Sequence, residues 1–445
     1  MASISFSRQP ALSTAELEQI TSVWKAPGLF ATLISVFCAF GGWTLLLPVI
    51  PLTVIQHGGS ESLAGLSTGV FMGATVLTQA FTPWLIRVVG YPAVMAGAGI
   101  MLGLPALVYL VDMSPPVLLG IAVLRGMGFG AVTVAESALI AELVPRRLMG
   151  NSSAALGTAV GVAQLISFPL GLWLLNSHGQ AWVFSVAAIY AVVGSAAAWW
   201  IPYQSKARKA GQDALLADAT TAHSADSLEA SAAPIPAATW KLAAVPGLAI
   251  GAIATGFAAF STFLAPAVEA IDLTVAALIS AAGLSVLGGM QMLGRIIAGR
   301  HTMKRGEAGH LAGIGLGCGI TGLILAGILI ALAPVGIPLV AGAFAAASIF
   351  GLGFGLVQNE ALLMLFERLP NEKTTLASAL WNMTFDSGTG IGAILLGIAA
   401  SAFAFQQAFW IAACIGAFAL CVVIADRVVG RRRLRGTAKP APAAG

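Results

Sequence analysis

The sequence contains twelve long apolar stretches, each long enough to cross a lipid bilayer as a helix. A membrane helix needs about 20 mostly apolar residues. Breaks at Pro, Gly and charge clusters place the predicted spans at residues 27–56, 62–86, 91–111, 115–143, 148–175, 180–201, 240–267, 273–299, 308–333, 336–366, 373–402 and 405–428. The stretches therefore predict an all-α polytopic membrane protein.

The composition excludes the other broad classes of protein. Charged residues make up 9% of the chain and hydrophobic residues 58%, whereas a soluble domain carries about 25% charged residues. A soluble enzyme and a disordered chain are both excluded. The four cysteines lie inside apolar stretches without CxxC spacing, and the sequence has no HExxH, P-loop or Ser/His/Asp pattern. We therefore expect no enzymatic activity, no cofactor and no metal site.

The basic residues indicate the orientation in the membrane. All but one of the 22 Lys and Arg residues fall in the tails, the even-numbered loops or the adjacent ends of the spans. The odd-numbered loops carry acidic residues instead. The positive-inside rule therefore predicts a multi-pass protein of the cell membrane with both termini in the cytoplasm. Because topology explains the basic residues, we expect no binding of nucleic acid.

One polar loop divides the chain into two halves. Residues 202–239 are rich in Ala, Ser and Asp and are predicted to form a cytoplasmic linker. We expect a cytoplasmic N-terminal tail, a six-helix lobe, this linker, a second six-helix lobe and a basic cytoplasmic C-terminal tail, at residues 1–26, 27–201, 202–239, 240–429 and 430–445.

The two halves repeat a glycine pattern. Span 4 reads LRGMGFG at residues 124–130, and span 10 reads GLGFG at residues 351–355. At one constant offset the three glycines, the phenylalanine and a later Glu and Pro all match, and spans 2 and 8 align less well at a slightly different offset. An internally duplicated chain of six plus six spans is typical of two-lobed transporters.

Twelve spans, a central cytoplasmic loop and this duplication resemble the major facilitator superfamily. Residues 294–306 read GRIIAGRHTMKRG, which is similar to the family's loop motif, with Met303 at its acidic position. The shorter loop PWLIRVVG at residues 83–90 has Arg87 there. The resemblance marks as loop-motif residues Arg87, Gly90, Gly299, Arg300, Lys304, Arg305 and Gly306.

The resemblance also suggests what the chain does. Span 4 resembles the family motif R-x-x-Q-G, with Arg125 in the place of its Gln. The family likeness implies two pseudo-symmetric six-helix lobes that rock by alternating access, and the general look is that of bacterial drug and sugar efflux permeases.

Polar residues inside the spans are the candidates for the site. A charge at the bilayer centre costs about 2.5–3.5 kcal/mol on insertion scales, so it usually faces a cavity and has a partner. The substrate and proton pathway candidates are Arg125, Glu136, Glu360, Asp386 and Asn382. In the functional interpretation the carboxylates carry protons, and Arg125 meets a substrate anion or Asp386. In the structural interpretation the same groups join helices by hydrogen bonds.

Two further polar or aromatic residues and four glycine pairs are also singled out. Trp43 and Gln164 either line a cavity or pack between helices. The GxxxG pairs are predicted to allow close helix contacts; they are Gly126/Gly130, Gly351/Gly355, Gly157/Gly161 and Gly388/Gly392.

The sequence favours a secondary active transporter of small molecules, in a proton-coupled efflux mode. An uptake symporter or facilitator is the first alternative, and a non-transporting scaffold or receptor on the same fold is an alternative of another class. The expected partners are a small-molecule substrate, protons as the coupling ion and the lipid bilayer, and we expect a monomer.

Overall fold

The computed structural model describes residues 16, 18–145, 148–202, 237–305, 308–369 and 374–437, and this part of the chain is all helical. Twelve of its helices are long and apolar enough to cross a membrane, which confirms the predicted fold class. They are numbered as the spans: α1 Leu29–Gln56, α2 Glu61–Val89, α3 Tyr91–Gly103, α4 Pro115–Leu143, α5 Met149–His178, α6 Gln180–Ala198, α7 Ala237–Glu269, α8 Leu273–Arg305, α9 Ala312–Leu332, α10 Ile337–Arg368, α11 Thr374–Ala402 and α12 Phe405–Thr437.

Some helix ends differ from the prediction. The helix α8 continues to Arg305 and α12 to Thr437, beyond the predicted ends at 299 and 428. Hydropathy detects only the apolar part of a helix, whereas the backbone hydrogen bonds continue into its polar end. Two helices change geometry near a proline: α1 consists of the segments Leu29–Leu46 and Val49–Gln56, and α3 continues as a 3₁₀ segment, Leu104–Leu110.

The described chain forms two compact units. Unit 1 comprises the described residues of Met1–Val54 and Val70–Ala237, and unit 2 those of Ile55–Gly69 and Ala238–Gly445. In unit 1, α1 packs on α5 and α6, and α3 packs on α4 and α6. In unit 2, α10 packs on α8 and α9, and α9 packs on α12. The segment Ile55–Gly69, which the sequence groups with the first half, belongs to unit 2.

Hydrogen bonds hold the start of α2 in unit 2. The backbone N–H of Ser62 donates to the hydroxyl of Ser401 on α11 (2.8 Å), and this hydroxyl donates to the Glu61 carboxylate (3.0 Å). Gly65 lies so close to the α11 backbone that a Cβ there would overlap the carbonyl oxygen of Ala393. The first turns of α2 are therefore tied to α11 by polar bonds and by close packing.

The repeated glycines of α4 pack against the α2 backbone in unit 1. A Cβ at Gly126 would overlap the carbonyl oxygen of Phe71, and a Cβ at Gly130 would overlap that of Thr75. The Thr75 hydroxyl also donates to the Gly126 carbonyl oxygen (3.1 Å). Only glycine leaves room for two helix backbones at this distance, so the predicted close contact is confirmed for this pair.

Unit 2 repeats the same contact between α10 and α8. A Cβ at Gly351 would overlap the carbonyl oxygen of Leu287, and a Cβ at Gly355 would overlap that of Gln291. These two α8 positions are the ones that the sequence alignment of spans 2 and 8 pairs with the α2 contact residues of unit 1. The duplication is therefore present in the packing as well as in the sequence.

The other two glycine pairs behave differently. On α11, Gly388 lies against Gly251 of α7, and the hydroxyl of Thr255 donates to the Gly388 carbonyl oxygen (3.0 Å). On α5, a Cβ at Gly157 or Gly161 would meet no described atom within 4 Å. The predicted close contact is confirmed for the α11 pair, whereas the α5 pair makes no such contact with the described residues.

Acidic residues in two odd-numbered loops accept hydrogen bonds from residues at the start of the next helix. Asp112 accepts hydrogen bonds from the N–H (2.7 Å) and hydroxyl of Ser114, just before α4. Asp272 accepts from the N–H and hydroxyl of Thr274 at the start of α8 and from the N–H of Gly336 (2.8 Å). The Thr274 hydroxyl and these backbone N–H groups hold the pKa of Asp272 below its ordinary value.

Candidate functional site

Arg125 is buried in unit 1, where it has neutral partners. Its Nε donates to the carbonyl oxygen of Leu102 (2.9 Å), at the end of the α-helical part of α3. Its guanidinium carbon lies 5.4 Å from the centre of the Phe71 ring, and the guanidinium also interacts with the Tyr109 hydroxyl. A carbonyl, an aromatic face and a phenol each attract a cation without neutralising it. Within unit 1, Arg125 therefore connects α4 to α2 and α3, as the structural interpretation expects.

Glu136 is the candidate carboxylate with an unsatisfied oxygen. Its side chain is 7% exposed, and Oε2 is buried without a hydrogen-bond partner among the described residues. Phe129, Val132 and Ile140 lie on the same face of α4 at helical spacing and are buried too. A carboxylate in such an apolar environment is costly unless it binds a proton, a water or a ligand.

Trp43 is also buried with an unsatisfied polar atom. It is 3% exposed, and its ring stacks on Phe129 with centroids 4.6 Å apart and meets the Phe40 ring edge-on. Its Nε1 has no hydrogen-bond partner in the described chain. The structure thus packs Trp43 among aromatic rings, the second of the two predicted alternatives. Gln164 on α5 is partly exposed.

Glu360 is satisfied on both oxygens. It is fully buried on α10, accepting from the hydroxyl of Thr302 (3.0 Å) and from the backbone N–H of Leu311 (3.3 Å). These partners lie on α8 and immediately before α9. The carboxylate therefore holds the connection between α8 and α9 against α10, which fits the structural interpretation of this residue.

The loop-motif residues lie at the ends of α2 and α8. Four of them, Gly299, Arg300, Lys304 and Arg305, lie on helix α8, which continues through residues that the sequence predicts to be a loop. The charged members are exposed, namely Arg87, Arg300, Lys304 and Arg305. Gly90 adopts a positive φ of 84° between α2 and α3, and Gly299 is partly exposed on α8. The prediction for Gly306 falls outside the described residues, as do most of the central linker and parts of both tails.

Asp386 and Asn382 lie one turn apart on α11, as their spacing predicts. Asp386 is buried, and Asn382 is partly exposed. The Asn382 amide nitrogen donates to the carbonyl oxygen of Ser378, one turn earlier (3.0 Å). The proton-carrier role of Asp386 stays a prediction.

An aromatic stack in unit 2 was not predicted. Trp381 and Phe385 on α11 have nearly parallel rings, and Phe385 continues the stack onto Phe354 of α10 and Phe257 of α7. The Trp381 Nε1 donates to the carbonyl oxygen of Gln358 (3.1 Å). One signal in the sequence was that Phe354 is the repeat counterpart of Phe129, which is the centre of the unit 1 cluster.

A pair of glutamines lies beside this stack. The Gln291 amide nitrogen on α8 donates to the amide oxygen of Gln358 on α10 (2.7 Å). The described ranges contain no group of three or more His, Cys, Asp or Glu residues that could hold a metal ion.

These features define a class: a twelve-span helical membrane protein with an internal repeat and isolated buried polar groups in both units. The family model of the Major Facilitator Superfamily matches residues 32–389. The chain belongs to the major facilitator superfamily.

Curated relatives match parts of the chain. A protein of Mycobacterium tuberculosis described as an MFS-type transporter is 28% identical over 233 residues, which are 51% of this chain and 33% of the relative. A probable multidrug-efflux transporter of the same organism is 28% identical over 152 residues, 33% of this chain and 31% of the relative. The chain thus spans about a third of the length of the curated relatives it matches.

Solved structures share the fold over nearly the whole chain. A peptide transporter in complex with sulfate superimposes with a TM-score of 0.70 at 16% identity, covering 96% of this chain and 97% of that one. A bacterial homologue of the lysosomal transporter Spinster gives 0.69 at 15% identity, covering 94% and 98%. At this identity the likeness establishes the fold alone.

Proposed function

We propose that this chain is a secondary active transporter that exports small molecules in exchange for protons, and that Glu136 binds the transported proton. The observation that carries the proposal is the buried Oε2 of Glu136, which lacks a hydrogen-bond partner among the described residues. A proton neutralises such a group without any further partner. When water reaches the site, hydration stabilises the ionised form, and the proton leaves.

The other sequence candidates are weaker carriers on the same reasoning. Glu360 already has a donor on each oxygen, so neither oxygen needs a proton to be satisfied. Arg125 lies among neutral groups, and its guanidinium stabilises contacts between helices through a hydrogen bond and a cation–π contact. Asp386 is buried at mid-span and is the second carboxylate to test.

The export direction is supported by one relative's name, a probable multidrug-efflux transporter. Uptake by proton symport is the second candidate, because a solved structure with this fold is a D-xylose–proton symporter. We place the protein in the cell membrane with both termini in the cytoplasm, on the distribution of its Lys and Arg residues, and we keep the expectation of a monomer.

The test uses everted membrane vesicles from cells that express the protein. Respiration acidifies the vesicle interior, and uptake of a panel of labelled small molecules is followed before and after nigericin collapses the pH gradient. Export by proton exchange predicts uptake that nigericin abolishes and that Glu136→Gln lacks. Glu142→Gln is the matched control, because Glu142 lies at the end of the same helix and accepts from the Tyr91 hydroxyl (2.8 Å).

Three results decide between the candidates. Uptake that survives in Glu136→Gln removes Glu136 as the carrier. Uptake that ignores nigericin removes proton coupling and favours a facilitator. Accumulation only when the gradient is reversed replaces export by symport.

A further inference from the structure

Arg295 is a charged residue inside the membrane-spanning part of α8. It belongs to the apolar span Leu273–Thr302, and Ile296 and Ile297 follow it. Its side chain is exposed, and its guanidinium makes no hydrogen bond or ion pair with any residue that the structure describes. A cation within a membrane span is costly and is usually paired. The described chain supplies no such pair, so the guanidinium is available to a ligand.

The carboxylate that lies between α8 and α10 does not neutralise Arg295. Glu360 accepts from the hydroxyl of Thr302 (3.0 Å) and from the backbone N–H of Leu311 (3.3 Å), and it forms no ion pair with a described residue. Neutral donors therefore already use both of its oxygens, and the positive charge of Arg295 stays without a counter-charge in this part of unit 2.

Close packing fixes the position of Arg295 against α10. A Cβ at Gly355 would lie 2.9 Å from the backbone nitrogen of Arg295. One turn later on α8, a Cβ at Gly299 would meet one described atom of another helix within 4 Å, the Asn359 amide nitrogen at 3.9 Å. Residues four apart share a face of a helix. The space that Gly299 leaves therefore lies beside Asn359 and on the Arg295 face of α8.

The amide nitrogen of Asn359 is a second donor without a partner. Its Nδ2 is buried and has no hydrogen-bond partner among the described residues. A buried donor left unsatisfied costs free energy, and an acceptor in the adjacent space would remove that cost. A guanidinium and an amide NH₂ group both donate, and neither accepts. A negatively charged oxygen is the group that satisfies both.

Unit 1 has different chemistry at the equivalent positions. The alignments of span 2 with span 8 and of span 4 with span 10 pair Arg295, Gly299 and Asn359 with Gln79, Pro83 and Val134. Gln79 is neutral and buried, and its amide nitrogen donates to the Thr133 hydroxyl (3.2 Å). Pro83 has a side chain where unit 2 has glycine, and the side chain of Val134 carries no donor. The two donors and the glycine beside them therefore set unit 2 apart from unit 1.

We propose that Arg295 and Asn359 bind an anionic oxygen group, a carboxylate or a phosphate, in the space that Gly299 leaves between α8 and α10. The guanidinium offers two parallel N–H donors to two oxygens of the anion, and Asn359 Nδ2 donates to one of them. This inference goes beyond the proposed function, because it assigns a ligand to unit 2, whereas the proposed proton site Glu136 lies in unit 1.

Two sources supply this chemistry, a soluble organic or inorganic anion and the headgroup of an anionic phospholipid. Arg295 lies seven residues before the end of the span at Thr302, which is about 10 Å along the helix. A long arginine side chain extends toward the membrane interface from such a depth. The experiment therefore has one arm for each source.

The experiment measures the melting temperature of the purified full-length protein in dodecyl maltoside micelles by tryptophan fluorescence. The soluble probes are sodium benzoate and sodium phosphate, compared with sodium chloride at equal ionic strength. The lipid probe is phosphatidylglycerol, compared with phosphatidylcholine at equal mole fraction. A ligand of the folded state raises the melting temperature with its concentration, and this dependence gives an apparent affinity.

The variants place the residues of unit 1 in unit 2. Arg295→Gln should weaken the affinity for the stabilising probe about tenfold or more, and Arg295→Lys by less, since lysine keeps the charge but not the fork. Asn359→Val and Gly299→Ala should each weaken it several-fold, the first by removing a donor and the second by narrowing the space. Arg300→Gln is the matched control, because Arg300 is an exposed arginine on the same helix, and its affinity should not change.

The melting temperature of each variant without a probe shows whether it is folded, so a lost response is separated from lost structure. Stabilisation by benzoate or phosphate identifies a soluble anion, and stabilisation by phosphatidylglycerol alone identifies a lipid headgroup. The site is overturned if none of the three probes stabilises wild type beyond its reference, or if Arg295→Gln responds as wild type does. Equal losses in Arg295→Gln and Arg300→Gln would also overturn it, because they would indicate attraction to net charge alone. None of these results depends on transport or on Glu136.

Discussion

Replacing Gly355 by alanine should push α8 and α10 apart. The added Cβ would overlap the Gln291 carbonyl oxygen and lie 2.8 Å from its carbonyl carbon and 2.9 Å from the backbone nitrogen of Arg295. All three atoms belong to a helix backbone, which has no alternative rotamer. The only relief is a separation of the two helices by about 1 Å at this point, since unstrained contacts of this kind lie at roughly 3.5–4.0 Å.

The cost follows from the contacts that this separation weakens. A gap of 0.5–1 Å forfeits about a quarter to a half of each pairwise attraction of 0.1–0.2 kcal/mol. Summed over on the order of 30 atom pairs, the loss is about 1–3 kcal/mol, the range of overpacked cores. Alanine recovers up to about 1 kcal/mol because it is the better helix former. The net destabilisation should therefore be up to about 2 kcal/mol.

Gly289→Ala is the matched control on α8, because a Cβ at Gly289 would meet no described atom within 4 Å. Unfolding in mixed micelles, titrated with sodium dodecyl sulfate and followed by tryptophan fluorescence, reports the difference. Gly355→Ala should unfold at lower detergent fraction, and Gly289→Ala at or above the wild-type value. Equal midpoints for the two variants would refute the reasoning that backbone contact, rather than loss of glycine itself, sets the cost.

Four further outcomes are expected. Arg125→Ala should lower the melting temperature in micelles by the equivalent of about 3 kcal/mol and Arg125→Lys by less, since lysine keeps the charge but not the Nε bond; an unchanged Arg125→Ala would mean that its neutral partners contribute nothing. Glu360→Ala should expose the α8–α9 connection to limited proteolysis, and an unchanged digestion pattern would contradict its role as a clamp. The pKa of Asp272 is lowered in the folded protein, so its contribution to stability is complete above the ordinary carboxyl pKa and is lost as the pH falls through the lowered value. Asp272→Asn should therefore destabilise the protein at pH 7. The variant should also lose less melting temperature than wild type on acidification. Ser60→Cys should react with a membrane-impermeant maleimide in intact cells and Ala217→Cys should not; labelling of the latter would reverse the predicted topology.

Span count and repeat were predictable because each depends on local chemistry. A span is defined by its own apolar length, whatever it packs against. The glycine contacts of α4 and α10 were predictable for a related reason: a helix with glycine at Gly126 and Gly130 has a flat face wherever it lies, and close packing is the main use of such a face in a membrane. The exception is the pair Gly157 and Gly161, which has the same spacing but no described atom within 4 Å of an added Cβ, so the spacing permits a contact without requiring it.

The partners of the buried polar groups were not predictable. The donors to Glu360 are the hydroxyl of Thr302 and the backbone N–H of Leu311. Backbone donors exist at every position and leave no trace in composition. The stack of Trp381, Phe385 and the rings beyond it joins three helices whose apolar sides all look alike in sequence, so hydropathy could not say which sides would meet.

The glycine contacts also explain which helices show the internal repeat in their sequence. Each repeated glycine of α4 and α10, at positions 126, 128, 130, 351, 353 and 355, would meet a backbone carbonyl oxygen, and a carbonyl is the same for every amino acid. Any residue can supply that carbonyl, whereas only glycine leaves room for it. The two halves accordingly share their glycines, while the facing residues differ, Phe71 against Leu287 and Thr75 against Gln291. The duplication is therefore easier to read in the sequences of α4 and α10, which carry the glycines, than in those of α2 and α8, which pack against them.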